Sequence, residues 1–298
     1  MTSRQRGGRI DIGRRLADIC GAEFARPAGA ADGVAGAPAR WVAAPGTPEA
    51  VIEVVRLAAE HDLSVVPRGA GTKLDWGATP SQLDIVLDTG RLAGVWHRSD
   101  DESTVEVGAG TPLRAAQAIL ARSGRRLALD APSAGATIGG VLATAETGPL
   151  RHQHGTPGDQ LVGVSYVDAA GVLAQVPVRA AATVLDQEVT RLLCGSQGAL
   201  GVLVSATLRV QPIPASRVWL TRSVWTPLEV HDLVQLILAA DVRPSAIEMD
   251  LPAGGPGRSG GFGRGVGRPT HHPDHPAGSA RRARSGPRGA GRLAVLLE

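Results

Sequence analysis

Pro67-Arg68-Gly69-Ala70-Gly71-Thr72-Lys73-Leu74-Asp75-Trp76-Gly77 follows directly on the apolar run Leu63-Ser64-Val65-Val66. The run reads as a buried strand, and the stretch after it as a turn of glycines, small residues and one arginine. Glycine at 69 and 71 permits positive φ and lets bare backbone approach a ligand. Successive N–H groups in such a turn form a concave anion site, and Arg68 adds a fixed charge beside it. The stretch is expected to cradle a phosphate. Taken alone, a glycine loop of this kind is as readily a plain connection.

Two later segments change that balance. Pro132-Ser133-Ala134-Gly135-Ala136-Thr137-Ile138-Gly139-Gly140-Val141-Leu142-Ala143 has small residues where backbone must come close to something. It runs on to Thr147-Gly148-Pro149-Leu150-Arg151-His152-Gln153-His154-Gly155. Cys194-Gly195-Ser196-Gln197-Gly198-Ala199-Leu200-Gly201-Val202 then leads into an apolar strand. Three glycine clusters, far apart in sequence and each joined to a regular element, can converge on one elongated polar ligand. Their backbone donors would hold its phosphates, and their small side chains would admit a flat ring.

Around these loops the pattern is mixed. Thr47-Pro48 reads as a helix N-cap followed by proline at the first helical position. Val51, Val54, Val55 and Ala58 then share one face. The same device recurs at Thr111-Pro112 and at Thr226-Pro227. Strands are expected at 85–87, 104–107, 162–167 and 202–210, with a hairpin turn at Asp168-Ala169-Ala170-Gly171. Helices and strands do not alternate in strict β-α-β order, so the fold class is α+β rather than a doubly wound sheet. Aromatic residues are only 3% of the chain, so the core must be built from Val, Leu, Ile and Ala.

The net charge of +3 is unevenly placed. Eight arginines face only Asp274 and Glu298 beyond Asp250, so the basic character belongs to that end and the body is mildly acidic. Residues 252–292 are Gly, Pro, Arg, His and Ser with almost no large apolar side chain. Such a segment cannot offset its ordering entropy and reads as disordered. The Arg-rich tail would attract nucleic acid nonspecifically, with no specific recognition expected. Cys20 and Cys194 form no paired motif, which points to a reduced, cytoplasmic setting. There is no secretory h-region, and no apolar run approaches the ~20 residues of a membrane span.

The three motifs, in this order, resemble the FAD-binding domain of the vanillyl-alcohol oxidase / p-cresol methylhydroxylase (PCMH-type) superfamily, and within it the FAD-binding E subunit of bacterial glycolate oxidase. The resemblance covers residues 41–250. The first motif resembles P-R-G-G-G-T-x-x-x-x-G, with Ala70 for the middle glycine; the second P-x-x-x-A-T-I-G-G and then G-P-x-R-x-x-x-G; the third G-S-x-G-x-L-G-V. It implies a two-lobed FAD-binding domain over 41–213, the start of a cap or substrate domain over 214–250, and an incomplete cap beyond. A flexible segment is expected over 1–40, apart from a short helix near Ile12–Ile19, and a low-complexity tail over 251–298. The break in composition after Asp250 leads us to expect a truncated or frame-shifted C-terminal end.

By the same resemblance the cofactor contacts are Pro67, Arg68, Gly69, Ala70, Gly71, Thr72 and Gly77 from the first loop. The second supplies Pro132, Ala136, Thr137, Ile138, Gly139, Gly140, Ala143, Gly148, Arg151 and Gly155, and the third Gly198, Gly201 and Val202. Lys73 stands near where some relatives carry a histidine bonded to flavin. No histidine lies in 67–77, so the resemblance implies noncovalent FAD. It further implies hydride transfer from a 2-hydroxy acid such as glycolate, with a paralogous flavoprotein subunit and an iron–sulfur subunit as partners. The catalytic base and the substrate-carboxylate clamp would come from the cap side, and no residue here is assigned to them. The alternative is a catalytically inactive subunit that only docks to its partners.

Other features carry blander readings. Gly108-Ala109-Gly110 imitates a dinucleotide fingerprint, but the third glycine is missing and Pro112 opens the helix, so a tight strand-to-helix turn is preferred. His152 and His154 share a face only in an extended strand, and no third metal ligand is evident. Ser196 lacks the glycine two residues earlier that a nucleophile elbow needs. Trp76 and Trp96 are expected to be packing residues.

Overall fold

The structure, a computed structural model, describes residues 11–177, 184–240, 242–250 and 291–298. Of the disorder expected over 252–292, residues 252–290 lie outside the described residues, as do residues 1–10 of the segment expected to be flexible. The chain divides into two compact units. The first comprises Met1–Glu146 and Thr156–Pro212, the second Thr147–Gly155 and Ile213–Glu298.

The first unit opens with helix α1 (Ile12–Cys20), capped by Asp11, whose carboxylate accepts from the Arg14 amide at 3.2 Å. Strand β1 (Ala25–Pro27) pairs antiparallel with β2 (Trp41–Ala43). Helix α2 (Pro48–Glu60) begins as the sequence indicates: the Thr47 hydroxyl accepts from the Ala50 amide, Pro48 occupies the first turn, and Val51, Val54, Val55 and Ala58 are buried. Strand β3 (Val65–Arg68) follows, and then β4 (Ile85–Asp88). Both β2 and β3 lie parallel to β4, giving the order β1-β2-β4-β3. Ile85, Val86 and Leu87 of β4 are apolar and buried because both faces of this inner strand are covered. Ile85 and Leu87 pack with α1 and α2, while Val86 packs on the other side with Val34, Val42 and Leu83.

A five-stranded antiparallel sheet makes the other lobe. Its strands are β5 (Val95–Arg98), β6 (Thr104–Gly108), β7 (Leu161–Val167), β8 (Leu173–Pro177) and β9 (Val202–Arg209), in the order β5-β6-β9-β7-β8. Helices α3 (Leu113–Ala121) and α4 (Ile138–Thr144) lay Leu113, Ala116, Leu120, Ile138, Val141 and Leu142 against Val105, Val107, Val164, Ala206 and Leu208. Val202 and Val204 of β9 instead join the core of the first lobe, which ties the two lobes into one unit. The β7–β8 hairpin turns at Asp168, whose Oδ1 accepts from the Ala170 and Val172 amides at 2.9 Å each. Helix α5 (Val184–Leu193) leads to the third glycine loop.

Two expectations change here. Thr111 is not the cap of α3: its hydroxyl donates to the Gly108 carbonyl at 2.7 Å and accepts from the Gly94 amide at 2.8 Å. Gly108 and Gly110 serve close backbone packing, since a β-carbon there would lie 2.3 Å from the Leu92 oxygen and 1.9 Å from the Thr89 oxygen. The tight-turn reading thus accounts for both glycines. The second change concerns the flexible segment assigned to 1–40. From residue 11 onward it is built into the fold, with Leu16 wholly buried and Cys20 nearly so.

In the second unit, β10 (Val218–Val224), β11 (Ala246–Asp250) and β12 (Gly291–Leu297) form an antiparallel sheet ordered β10-β12-β11. Residues 291–297, assigned from sequence to the low-complexity tail, are therefore a central strand. Val295 pairs with Leu220 on one side and Ile247 on the other. Helix α6 (Pro227–Ala239) is capped by Thr226 as expected. Thr147–Gly155, placed from sequence in the FAD-binding domain, belongs to this second unit. No helix among the described residues is long and apolar enough to cross a membrane.

Candidate functional site

Strand β3 delivers the chain into the first glycine loop at the end of the four-stranded sheet. Gly71 turns it with φ 72°. Gly69 is pressed so tightly against Thr137 that a β-carbon would lie 2.2 Å from its Oγ1. The third loop meets the first from another side: a β-carbon on Gly198 would sit 3.4 Å from Pro67, and one on Gly77 3.0 Å from Gln197 Oε1. The Gln197 amide donates to the Ala143 carbonyl at 2.7 Å and the Gly195 amide to Leu142 at 3.0 Å, fixing the third loop to α4. Gly139 donates to the Ala109 carbonyl at 2.8 Å and fits there only without a side chain.

The three loops enclose one cavity of about 310 Å³ in the first unit. Of the expected contacts, Pro67, Arg68, Gly69, Ala70, Gly71, Thr72 and Gly77 line it, as do Thr137, Gly139, Gly140, Ala143, Gly198 and Gly201. The others do not. Ala136, Ile138 and Val202 are buried in the hydrophobic cores, because they alternate with the wall residues along the same turn, helix and strand. Pro132 is exposed outside the wall. Gly148, Arg151 and Gly155 belong to the second unit. Trp76, expected to pack, is 55% exposed.

Arg68 has a different role from the phosphate partner expected. Its guanidinium bonds Asp32 at 3.0 Å and Asp88 at 2.8 Å. Asp32 is shared with Arg26 at 2.7 Å and accepts from the Gly29 amide at 2.8 Å. Two carboxylates therefore neutralise Arg68, which clamps the ends of β3 and β4 to the turn at Ala30–Asp32. The Arg26 hydrogen bond, aided by the Gly29 amide and Arg68, holds the Asp32 carboxyl well below the usual carboxylate range despite burial. Sequence reasoning found neither Asp32 nor Asp88, since an isolated Asp carries no motif.

Lys73 also lines the wall and is paired. Its ammonium bonds the Glu146 carboxylate, and the two side chains are only 5% and 3% exposed. Burial pushes the Glu146 carboxyl up, but hydrogen bonds from Lys73 and Ser133 outweigh it and the net shift is downward. With both cations of the wall engaged, anion binding falls to backbone. Among the described residues, the amides of Gly69, Ala70, Gly71 and Thr72 donate to no protein acceptor. Four such donors on a glycine-built turn, with no side chains at 69, 71, 139, 140 and 198 to obstruct approach, suit a pyrophosphate followed by a flat ring.

Residues 39–176 match the family described as FAD binding domain. Similar proteins include the mitochondrial D-lactate dehydrogenase [cytochrome] of Arabidopsis thaliana, 28% identical over 69% of this chain and 36% of its own length. A D-2-hydroxyglutarate dehydrogenase of Xanthomonas citri pv. viticola is 32% identical over 60% of this chain and 38% of its own. The glycolate oxidase subunit GlcE of Escherichia coli is 28% identical over 59% of this chain and 50% of its own. The chain thus spans half or less of the length of these relatives. In fold it is similar to a solved alkyldihydroxyacetonephosphate synthase, with TM-score 0.62 and 22% identity over 72% of this chain and 39% of that one.

Proposed function

We propose, starting from an FAD binding domain over residues 39–176, that the chain is an FAD-dependent oxidoreductase, or a subunit of one, acting on a 2-hydroxy acid such as glycolate or D-lactate. The observation that carries this reading is the convergence of three glycine loops on one cavity whose first loop presents unbonded amides. FAD is the cofactor that the family holds, and Gly69 to Thr72 would bind its pyrophosphate through backbone. Thr137, Gly139 and Gly140 would flank it, and Gly198 and Gly201 would face the rest of the molecule. When bound, FAD supplies a two-electron acceptor for the hydride leaving the carbinol carbon of the substrate. The absence of histidine from residues 67–77 supports noncovalent binding. The motif resemblance implies that the substrate contacts and the proton acceptor come from a cap, and no residue of this chain is assigned to either role.

A second reading is favoured by the lining itself. Its titratable side chains among the described residues are Arg68 and Lys73, both ion-paired, and neither can serve as a general base. The chain would then hold FAD as one subunit of an assembly with a paralogous flavoprotein and an iron–sulfur protein. One experiment separates the two. Purified protein reconstituted with FAD is mixed anaerobically with glycolate, D-lactate or D-2-hydroxyglutarate while the visible flavin spectrum is followed. Bleaching by one of them supports the enzyme. Retained flavin without bleaching supports the docking subunit, and protein that holds no flavin after reconstitution rejects both.

A further inference from the structure

The Lys73–Glu146 pair joins segments that both belong to the cavity wall but are 73 residues apart in sequence. Lys73 is in the first glycine loop, directly after the amides of Gly69 to Thr72, and its ammonium also donates to Thr72 Oγ1 at 3.2 Å. Glu146 lies two residues beyond α4, after the capping Ala145, which takes the left-handed conformation with φ 51°. The two carboxylate oxygens of Glu146 divide their work. Oε2 accepts from Lys73, and Oε1 accepts from the Ser133 amide at 2.8 Å, at the start of the second glycine segment. One buried carboxylate thereby straps the first loop to both ends of the second segment.

We propose that Lys73 and Glu146 are positioning residues for FAD, holding the Gly69–Thr72 amides in their binding arrangement before the cofactor arrives. The proposal rests on the FAD reading above. A flexible glycine turn would lose conformational freedom when it closes on a ligand, and that loss weakens binding. A strap formed in the apoprotein removes the loss in advance. The pair is nearly sealed from water at 5% and 3% exposure, so it is not a mobile surface contact that solvent screens. Because Arg68 is committed to Asp32 and Asp88, it cannot take over the tether to Glu146.

The test uses the full chain as apoprotein and FAD-loaded protein. Wild type, Lys73→Met, Glu146→Gln and the double variant K73M/E146M are compared by FAD titration, amide hydrogen exchange over residues 69–77 and thermal unfolding. The double variant leaves no orphaned charge buried and so keeps the chain folded. Leu16→Ala serves as a purely destabilising control in the core away from the cavity. Expected are a Kd for FAD raised at least about tenfold in each pair variant, faster exchange of the 69–77 amides in the apoprotein, and an unchanged Kd in Leu16→Ala despite its lower melting temperature. A folded double variant with wild-type Kd and wild-type exchange overturns the proposal. So does lowered melting with Kd unchanged in every pair variant, which marks a merely structural ion pair. Failure of wild type itself to bind FAD rejects the underlying reading instead.

Discussion

Gly69 rests against Thr137 with no room for a methyl group: a β-carbon on residue 69 would meet Oγ1 of Thr137 at 2.2 Å and its Cβ at 3.3 Å. The contact joins the first and second glycine segments, and Thr137 cannot yield easily because its hydroxyl caps α4 by accepting from the Gly140 amide. Gly69→Ala must therefore push the loops apart. We expect a stability loss of about 1–3 kcal/mol from overpacking and at least a tenfold weaker Kd for FAD by titration. Adding Thr137→Ala to that background should recover part of the affinity, because the nearest clashing atom is gone.

Gly198 makes the corresponding contact for the third loop. Its φ of 81° lies in the left-handed region, and Pro67 is 3.4 Å from where a β-carbon would be. Here space is adequate and backbone strain is the larger effect. Gly198→Ala should cost about 1–2 kcal/mol, measured by denaturant unfolding, with a smaller change in FAD affinity than Gly69→Ala produces. Equal effects of the two variants on Kd would contradict the assignment of Gly69 to the tighter contact.

The sequence disclosed the glycine loops, the helix starts at Thr47 and Thr226 and the strands β6, β7 and β9 of the antiparallel sheet, because each is a local signal: a turn residue, a cap, an apolar run. It disclosed less of what those signals meet. Thr111 carries the same Thr-Pro pattern as Thr47, yet its hydroxyl is taken by Gly108 and Gly94, a choice made by tertiary packing. Arg68 was legible as a charge beside a phosphate loop, but Asp32 and Asp88, 36 and 20 residues away, decide that its charge is already spent. Ile138 and Val202 sit inside the motifs and still point into the core, since a motif names a stretch of chain and not the face that its side chains take.

The Arg26–Asp32–Arg68–Asp88 cluster makes stability depend on acid. The folded-state pKa of Asp32 is depressed, Arg26 being the main cause, so its stabilisation is fully present above the ordinary carboxylate range, near about 4, and is lost as pH falls below it. Asp32→Asn should be less stable than wild type at neutral pH, and the gap should narrow as pH falls below about 4. Arg68→Met should cost about 3 kcal/mol by leaving Asp32 and Asp88 short of a partner. Urea unfolding followed across pH measures both. A gap between Asp32→Asn and wild type that stays constant from neutral to acid pH would show that the carboxylate is not held in its charged form.

Cys20 closes α1 in the core of the first lobe. Burial pushes its thiol up to about 11, with Arg91 opposing and Glu53 adding a little. Cys194 is raised as well, also by burial. Thiolate is the reactive species, and a free thiol titrates near about 8.5. A colourimetric thiol reagent at about pH 8 should therefore react slowly with the folded protein and rapidly with both cysteines once denaturant is added. Fast labelling of Cys20 in the native state would mean that α1 detaches from the core.

Leu16 decides whether the segment before Trp41 belongs to the folded domain. It is wholly buried on α1 and packs in the same core as Val51, Val54, Ile85 and Leu87, on one face of the four-stranded sheet whose β3 leads into the first glycine loop. The local composition, rich in Arg, Gly and Ala, hides this, because one leucine and one cysteine per helix are enough to seat nine residues once Asp11 caps them. Leu16→Ala removes a buried side chain with nothing at hand to refill the space, so it should cost about 3–5 kcal/mol. The first unit's melting temperature should fall while an FAD-loaded sample regains part of the loss by mass action. If Leu16→Ala melts like wild type, α1 does not hold the sheet, and residues 11–40 would be the loose extension that their composition suggests.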